Sequence, residues 1–367
     1  MLFLRSSKLV KLENQHILIL SNEPWGETWF SKHNYAWELS KKNKVYFINP
    51  PVPFSPLNVL NNNIQEEKIS ENLIAVTYKN ILPVSIELFR LINEISVFNS
   101  LKSLLLRHNT TQPIFWTFDP SRLTSPEKLN SKLCIFHAVD KYRFLRKAEF
   151  VISKKAEIII CVAEEIAEIY RDKNKNVHVL PHAIASDEII DKIKPRGEKL
   201  SGVFVGNIDK RIDFAYTAEL INKFPQVDFH FVGKIINDGS PAHLVFNSGF
   251  KNVIHHGEKP FKELKNFISE ADFCILFKVN EVGGNKISSH KMLQYFAQGK
   301  PIFASHLTQY EPVKDLLYMS DDREVVIKAF DSFVKSGESE ELFMKRINYA
   351  REHSFENIIT KIEKLIG

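Results

Sequence analysis

The sequence predicts a doubly wound α/β protein of two domains, and three observations predict it. Short apolar runs rich in β-branched and aromatic residues recur along all 367 residues. Amphipathic segments with helical spacing lie between them, and such alternation builds a parallel sheet covered on both faces. The alternation pauses at a charged stretch, ASDEIIDKIKPRGEK (185–199), and then restarts, so a domain boundary falls there.

In the first half the strands are HILILS (16–21), KVYFINP (44–50), LIAVTY (73–78), PIFWTF (113–118), KLCIFHA (132–138), EIIICVA (157–163) and VHVLP (177–181). Each is roughly five to seven residues long, the length of a strand buried on both faces. Helical patterns join them, among them TWFSKHNYAWELSKK (28–42) and EEIAEIYRDK (164–173). The segment ILPVSIELFRLINEISVFNSLKSLLLRHN (81–109) is apolar with Arg90, Lys102 and Arg107 interspersed. It suits a pair of core helices, and equally a surface lying in a membrane interface.

The second half repeats the grammar with SGVFVGN (201–207), FAYTAELINKF (214–224), VDFHFVG (227–233), NVIHHG (252–257), FKELKNFISEA (261–271) and DFCILF (272–277). A further helix follows in ISSHKMLQYFAQGKPIFAS (287–305), stopped by Gly-Lys-Pro before another strand. The last helix, SFENIITKIEKLIG (354–367), is expected to pack back on the first domain. The expected division is 1–186, 187–353 and the helix 354–367.

Composition narrows the function. The balance of 49 basic to 44 acidic residues gives +5, which suits a negative small ligand or a membrane surface. Basic residues are scattered and form no recognition motif, so nucleic acid is not an expected partner. The three cysteines, Cys134, Cys161 and Cys274, sit inside apolar runs without metal-ligand spacing, as in a reducing cytoplasm. MLFLRSSKLVKLENQ lacks the apolar run of a signal peptide, and no run approaches the ~18 apolar residues of a membrane span.

On the 287–305 helix, His290, Lys291, Gln294, Tyr295 and Gln298 fall within about 140° of one another, at 100° per residue. Met292, Leu293, Phe296 and Ala297 take the other side, toward a sheet. The polar face reads either as a solvated surface or as a ligand face. Ser288 or Ser289 would cap the helix, after the glycine-bearing loop NEVGGNK (280–286), and a helix start beyond a parallel strand suits an anion. Lys291 would meet a phosphate there, and Gln294 could bond a ribose or base edge. A second strand-end loop, VFVGNIDKRIDF, brings Gly206, Lys210 and Arg211, and ligands of open α/β sheets bind outside the carboxyl ends of strands.

The pattern NVIHHGEKPFKELKNFISEADFCILFKVNE…KMLQYFAQGKPIFAS resembles the donor half of the GT-B glycosyltransferases over about 100 residues. Ser-Ser-x-Lys-x-Leu-Gln-Tyr is similar to the glucuronosyltransferase of xanthan biosynthesis, an inverting, metal-independent enzyme. SNEPWGETWFSKHNYAWELSKKNKVYFINPP and IFHAVDKYRF resemble capsule and teichuronic-acid transferases. The resemblance implies two Rossmann-like domains facing a cleft, the second holding a nucleotide-sugar donor and the first a glycan or lipid-linked acceptor. It gives Lys291 and Gln294 the donor contacts of the matching lysine and glutamine, and with the strand-end loops the expected donor site is Gly206, Lys210, Arg211, Glu281, Ser288, Ser289, Lys291 and Gln294. Among the departures, Gln294 stands where most retaining members carry glutamate, and the hinge reads Pro181-His182-Ala183 in place of Pro-Asn-Gly.

Inversion at a hydroxyl needs a base, and charge to stabilise the leaving diphosphate. Asp140, ending KLCIFHAVD, is the expected base, with an N-cap as its other reading. Asp119, before Pro120, reads as a turn residue, and His137 as a core histidine or a companion of Asp140. Trp25, Gly26 and His33 form the expected acceptor or phosphate loop. No Asp-x-Asp motif stands in a strand-end loop, and Asp321-Asp322 reads as a helix cap, so neither metal nor cofactor is expected. The expected place is the cytoplasm, with peripheral contact on the inner face of the membrane. A binding-only homologue and a sugar-nucleotide epimerase are the competing functions, the first kept open by Gln294.

Overall fold

The structure is a computed structural model that describes residues 11–57, 64–141, 146–279 and 290–367. The chain divides into two compact units, Met1–Pro181 with Ile359–Gly367, and His182–Ile358. The sequence places the division a few residues later, at 186/187.

The first unit runs β1 (His16–Leu20), α1 (Ser31–Ser40), β2 (Lys44–Ile48), β3 (Gln65–Lys68), β4 (Leu73–Thr77), α2 (Glu87–Arg107), β5 (Ile114–Thr117), β6 (Leu133–Ala138), α3 (Arg146–Lys155), β7 (Ile158–Cys161), α4 (Glu164–Ala167) and β8 (Val177–Val179). Its sheet order is β3-β4-β2-β1-β5-β6-β7-β8, parallel throughout except for the β3–β4 pair. Central strands are apolar without alternation because both faces are covered. On one face Phe115 and Phe136 pack with Phe98 and Leu101 of α2. On the other, Trp116 meets Tyr35 of α1 at 5.5 Å between ring centroids.

The second unit runs β9 (Ser201–Val205), α5 (Phe214–Lys223), β10 (Asp228–Val232), α6 (His243–Phe246), β11 (Val253–His255), α7 (Phe261–Glu270), β12 (Phe273–Leu276), α8 (His290–Ala297), β13 (Ile302–Ser305), β14 (Tyr318–Ser320), α9 (Arg323–Ser336) and α10 (Glu340–Glu352). The order is β11-β10-β9-β12-β13-β14, all parallel. The order in which successive strands are laid down therefore reverses across the sheet between β9 and β12, and in the first unit between β1 and β5. Such switch points leave a crevice at the carboxyl ends of the two strands, where neighbouring loops turn opposite ways. The last helix, α11 (Phe355–Ile366), ends with the first unit, where Leu12 N–H donates to Glu363 Oε1 at 2.7 Å.

Several elements differ from the sequence reading. The 81–109 segment holds one 21-residue helix, α2, rather than a pair. The pattern at 164–173 stays helical only over α4 and then tightens into i→i+3 turns, as in Ile169 N to Ile166 O. Strand β3, sequence QEEK, is an exposed edge with no apolar signal to read. The polar face of α8 is not a solvated surface, because Gln294 is 5% and Gln298 2% exposed.

Candidate functional site

At the second switch point the chain leaves β9 through Gly206, with φ +111, a conformation L side chains rarely adopt. Gly233, beyond β10, packs against it so closely that an added Cβ would lie 2.0 Å from Gly206 O. The 206–213 loop then laces onto the residues after β12. Asp213 N–H donates to Phe277 O at 3.0 Å, and Val279 N–H to Arg211 O at 3.0 Å. Arg211 and Lys278 are thereby brought to one end of the sheet.

Lys291 of α8 reaches the same place. Its Nζ lies 4.1 Å from the Phe204 ring centroid, and a Cβ on Gly206 would stand 2.8 Å from it. Burial, then Lys278 and Arg211, lowers its pKa to about 7, against the pull of Asp209. Burial and Arg211 likewise lower that of Lys278. The near carboxylate is Asp209, which accepts from Arg211 Nε at 2.9 Å and Arg211 N at 3.0 Å. Burial works against its charge, but the Arg211 bonds outweigh that and hold its carboxyl below the ordinary value. Lys291 thus stands against Gly206 with Lys278 and Arg211 near enough to disfavour its charge, and Asp209 is the carboxylate that acts on it among the described residues, an arrangement that an anion would relieve.

Gln294, one turn beyond Lys291, is buried with no hydrogen-bond partner for its Nε2 among the described residues. An orphaned buried donor costs free energy unless a ligand or neighbour meets it. His290 is held by the Ala183 backbone, and burial lowers its pKa to about 4. Lys210 is exposed, and its backbone N–H donates to Asp238 Oδ2 at 2.8 Å. Glu281, Ser288, Ser289 and the 280–286 loop lie outside the described residues. Lys278 was missed by the sequence reading; its signal was its place directly behind a buried strand.

In the first unit, Asp140 follows β6, exposed, and accepts from Lys141 N–H at 2.7 Å. Asp119 stands at the switch point itself but is committed to a turn. It accepts from Ser121 N–H at 2.9 Å and Arg122 Nε at 2.7 Å. His137 is buried among aromatic rings, 4.7 Å from Phe118. Asp322 caps α9 by accepting from Glu324 N–H at 2.9 Å.

The start of α1, beside the loop after β1, carries a group the sequence reading did not single out. Lys32 is 4% exposed, paired with Glu23 and bonded to Asn22. Burial lowers its pKa to about 8 against the pull of Asp119 and Asp140. Trp25 is half-buried against Phe47 at 5.0 Å, and its N–H donates to Asn49 Oδ1 at 2.8 Å. A Cβ on Gly26 would meet nothing within 4 Å, so internal packing does not demand glycine there. His33 serves the loop itself. Its Nδ1 accepts from Phe30 N–H at 3.1 Å, Nε2 donates to Pro24 O at 3.0 Å, and burial lowers its pKa to about 4. A neutral ring with both nitrogens engaged has nothing left to offer a ligand.

Two Rossmann-like parallel sheets, the second with a glycine turn and cations at its switch point, place the chain in the GT-B fold class. Solved structures that it matches include glycosyltransferases of that fold. A trehalose-6-phosphate structure from E. coli bound with UDP-2-fluoro glucose aligns with TM-score 0.66 at 11% identity, over 96% of this chain and 99% of that one. HepE from Anabaena, in complex with UDP and glucose, aligns with TM-score 0.66 at 10% identity, over 95% and 98%. WaaG, a glycosyltransferase of lipopolysaccharide biosynthesis, aligns with TM-score 0.60 at 9% identity, over 95% and 99%. No family model matches the chain, and no curated protein matches it.

Proposed function

We propose that the protein is a glycosyltransferase that moves a sugar from a nucleotide-sugar donor to a hydroxyl of a glycan or lipid-linked acceptor. The carrying observation is Lys291 packed on Gly206 at the β9–β12 switch point, with Lys278 and Arg211 close enough to disfavour its charge. Three close like charges favour a multiply charged anion, and a diphosphate meets several at once. Gln294 Nε2 supplies a donor one turn away for a ribose or base edge. UDP is the favoured nucleotide, since structures of this fold with long alignments hold UDP or a UDP-sugar.

In transfer the C–O bond to the diphosphate breaks, and the leaving group takes up negative charge. Arg211, Lys278 and Lys291 would stabilise that charge without a metal. On the acceptor side Asp140 is proposed as the base that takes the hydroxyl proton as the new glycosidic bond forms. Inversion and a glucuronosyl donor for surface polysaccharide are the finer expectations, carried by the resemblance around Lys291 and Gln294. Lys32, charged and buried beside the Trp25–Gly26 loop, is proposed to receive an acceptor's negative group.

Attachment to a membrane surface belongs to the same reading. No described helix is long and apolar enough to cross a membrane. The start of α2 nevertheless exposes Leu88 (61%), Leu91 and Ile95, with Val84 and Ile86 just before it and Arg90 between. An apolar strip with an interspersed cation suits an anionic lipid interface. The enzyme proposal is tested by calorimetric titration with UDP-, GDP- and dTDP-sugars, followed by product analysis with the donor that binds. Saturable binding of a UDP-sugar that Lys291→Ala weakens is expected, and absence of binding to every nucleotide sugar would remove the proposal.

A further inference from the structure

At the opposite end of the second sheet, behind the amino ends of β12 and β13, lies a cavity of about 340 Å³. That size is at the lower end of the roughly 300–1,000 Å³ of small-molecule sites. Its apolar wall includes Phe333 and Phe343, and its polar groups are unequally satisfied. Gln298 lines it, is 2% exposed, and has no hydrogen-bond partner for Oε1 among the described residues. The orientation of that amide is determined, because Nε2 donates to Glu188 O at 2.5 Å and a flip would set two acceptors face to face. The free oxygen therefore asks for an O–H or N–H donor.

Charge around the cavity is also unbalanced. Lys194 and Arg196 line it and, among the described residues, donate only to backbone carbonyls, those of Glu270 and Val334. Neither forms an ion pair with a carboxylate of the described residues. Lys300 lines it as well, buried, with Nζ held by Ser269 O at 2.8 Å and Ala271 O at 2.6 Å. Of the two acids present, Glu338 is taken by the buried Arg346, and Asp272 accepts from Ser201 N–H at 2.8 Å. Lys194, Arg196 and Lys300 are then set against Asp272 alone, so the lining carries a net positive charge.

We infer that this cavity binds a small hydroxylated anion, such as a sugar phosphate or a sugar acid. Its anionic group meets Lys194 and Arg196, and one hydroxyl donates to Gln298 Oε1. Gln298 directly follows α8, the helix that carries Lys291 at its other end, about 10 Å away along the helix rise. Occupancy is therefore felt at the Lys291 end through one rigid element, and the site acts as an effector site. Only that coupling rests on the nucleotide-sugar reading.

The test is calorimetric titration of the whole protein with glucose 6-phosphate, gluconate, inorganic phosphate and glucose. Glucose 6-phosphate or gluconate should bind saturably, and about tenfold more tightly than phosphate or glucose. Lys194→Ala with Arg196→Ala, both at exposed side chains, should weaken that binding by about tenfold or more. Lys291→Ala should leave it intact. No saturable binding by either hydroxylated anion, binding that survives the double variant, or binding lost in Lys291→Ala would overturn the site. UDP affinity should then shift by about fivefold on saturation with the bound anion. An unchanged UDP affinity overturns the coupling, whereas failure of UDP to bind at all strikes the donor reading and leaves the anion titration standing.

Discussion

Removing Lys291 should weaken nucleotide binding in a way that depends on pH, and the structure sets the size of the effect. A charge-assisted contact is worth about 1.5–3 kcal/mol, so at pH 6 Lys291→Ala should cost roughly ten- to hundredfold in UDP affinity. The unliganded lysine has a pKa near 7, because burial and then Lys278 and Arg211 disfavour its charge. At pH 8 it must first take up a proton, which costs about 1.4 kcal/mol. The gap between wild type and variant should therefore shrink about tenfold from pH 6 to pH 8. Calorimetry at both pH values measures it, and the nucleotide's own ionisation cancels in the comparison. Titration in two buffers of different ionisation enthalpy should show proton uptake on binding at pH 8 by wild type alone. An equal affinity ratio at both pH values, or no uptake, would refute the idea that a depressed lysine receives the diphosphate.

The same lysine makes a stability prediction. Its pKa falls from 10.5 to about 7 on folding, so between those values the unfolded chain holds a proton the folded chain does not. Wild-type stability from this group should rise with pH across that window, and Lys291→Met should raise the melting temperature at pH 6 by more than at pH 10. Asp140→Asn should lose about 10²–10⁴ in kcat with UDP affinity retained, measured as product formation beside calorimetry. Glu338→Ala should destabilise the fold by about 3–5 kcal/mol in urea unfolding, because it strands a fully buried Arg346. Leu88→Glu with Leu91→Glu should abolish pelleting with anionic liposomes at low salt without lowering the melting temperature. A wild type that does not pellet would end the membrane proposal.

The sequence alone determined what depends on neighbours along the chain. Strands such as β1 and β12 were legible because a strand buried on both faces must be apolar without alternation, and Asp322 because a cap lies beside its helix. Gly206 and Lys291 were legible for the same local reason, each standing next to a strand end or a helix start. Strand β3 was not, since a polar edge strand buries nothing and leaves no pattern. Periodicity showed that α8 has two chemically different faces, but a helical wheel does not say what covers either one. Only the tertiary structure decided that its polar face is buried and leaves Gln294 Nε2 and Gln298 Oε1 without partners among the described residues. Lys278 joined the site for a similar reason. The sheet order sets β9 beside β12, Phe273 opposite Gly202, and so brings two distant loops to one end of the sheet. Lys32 looked like any helical lysine until folding of the loop after β1 buried it beside Glu23. Charges far apart in the chain become a site only when the order of strands makes their loops neighbours, and that order is settled by packing over the whole sheet.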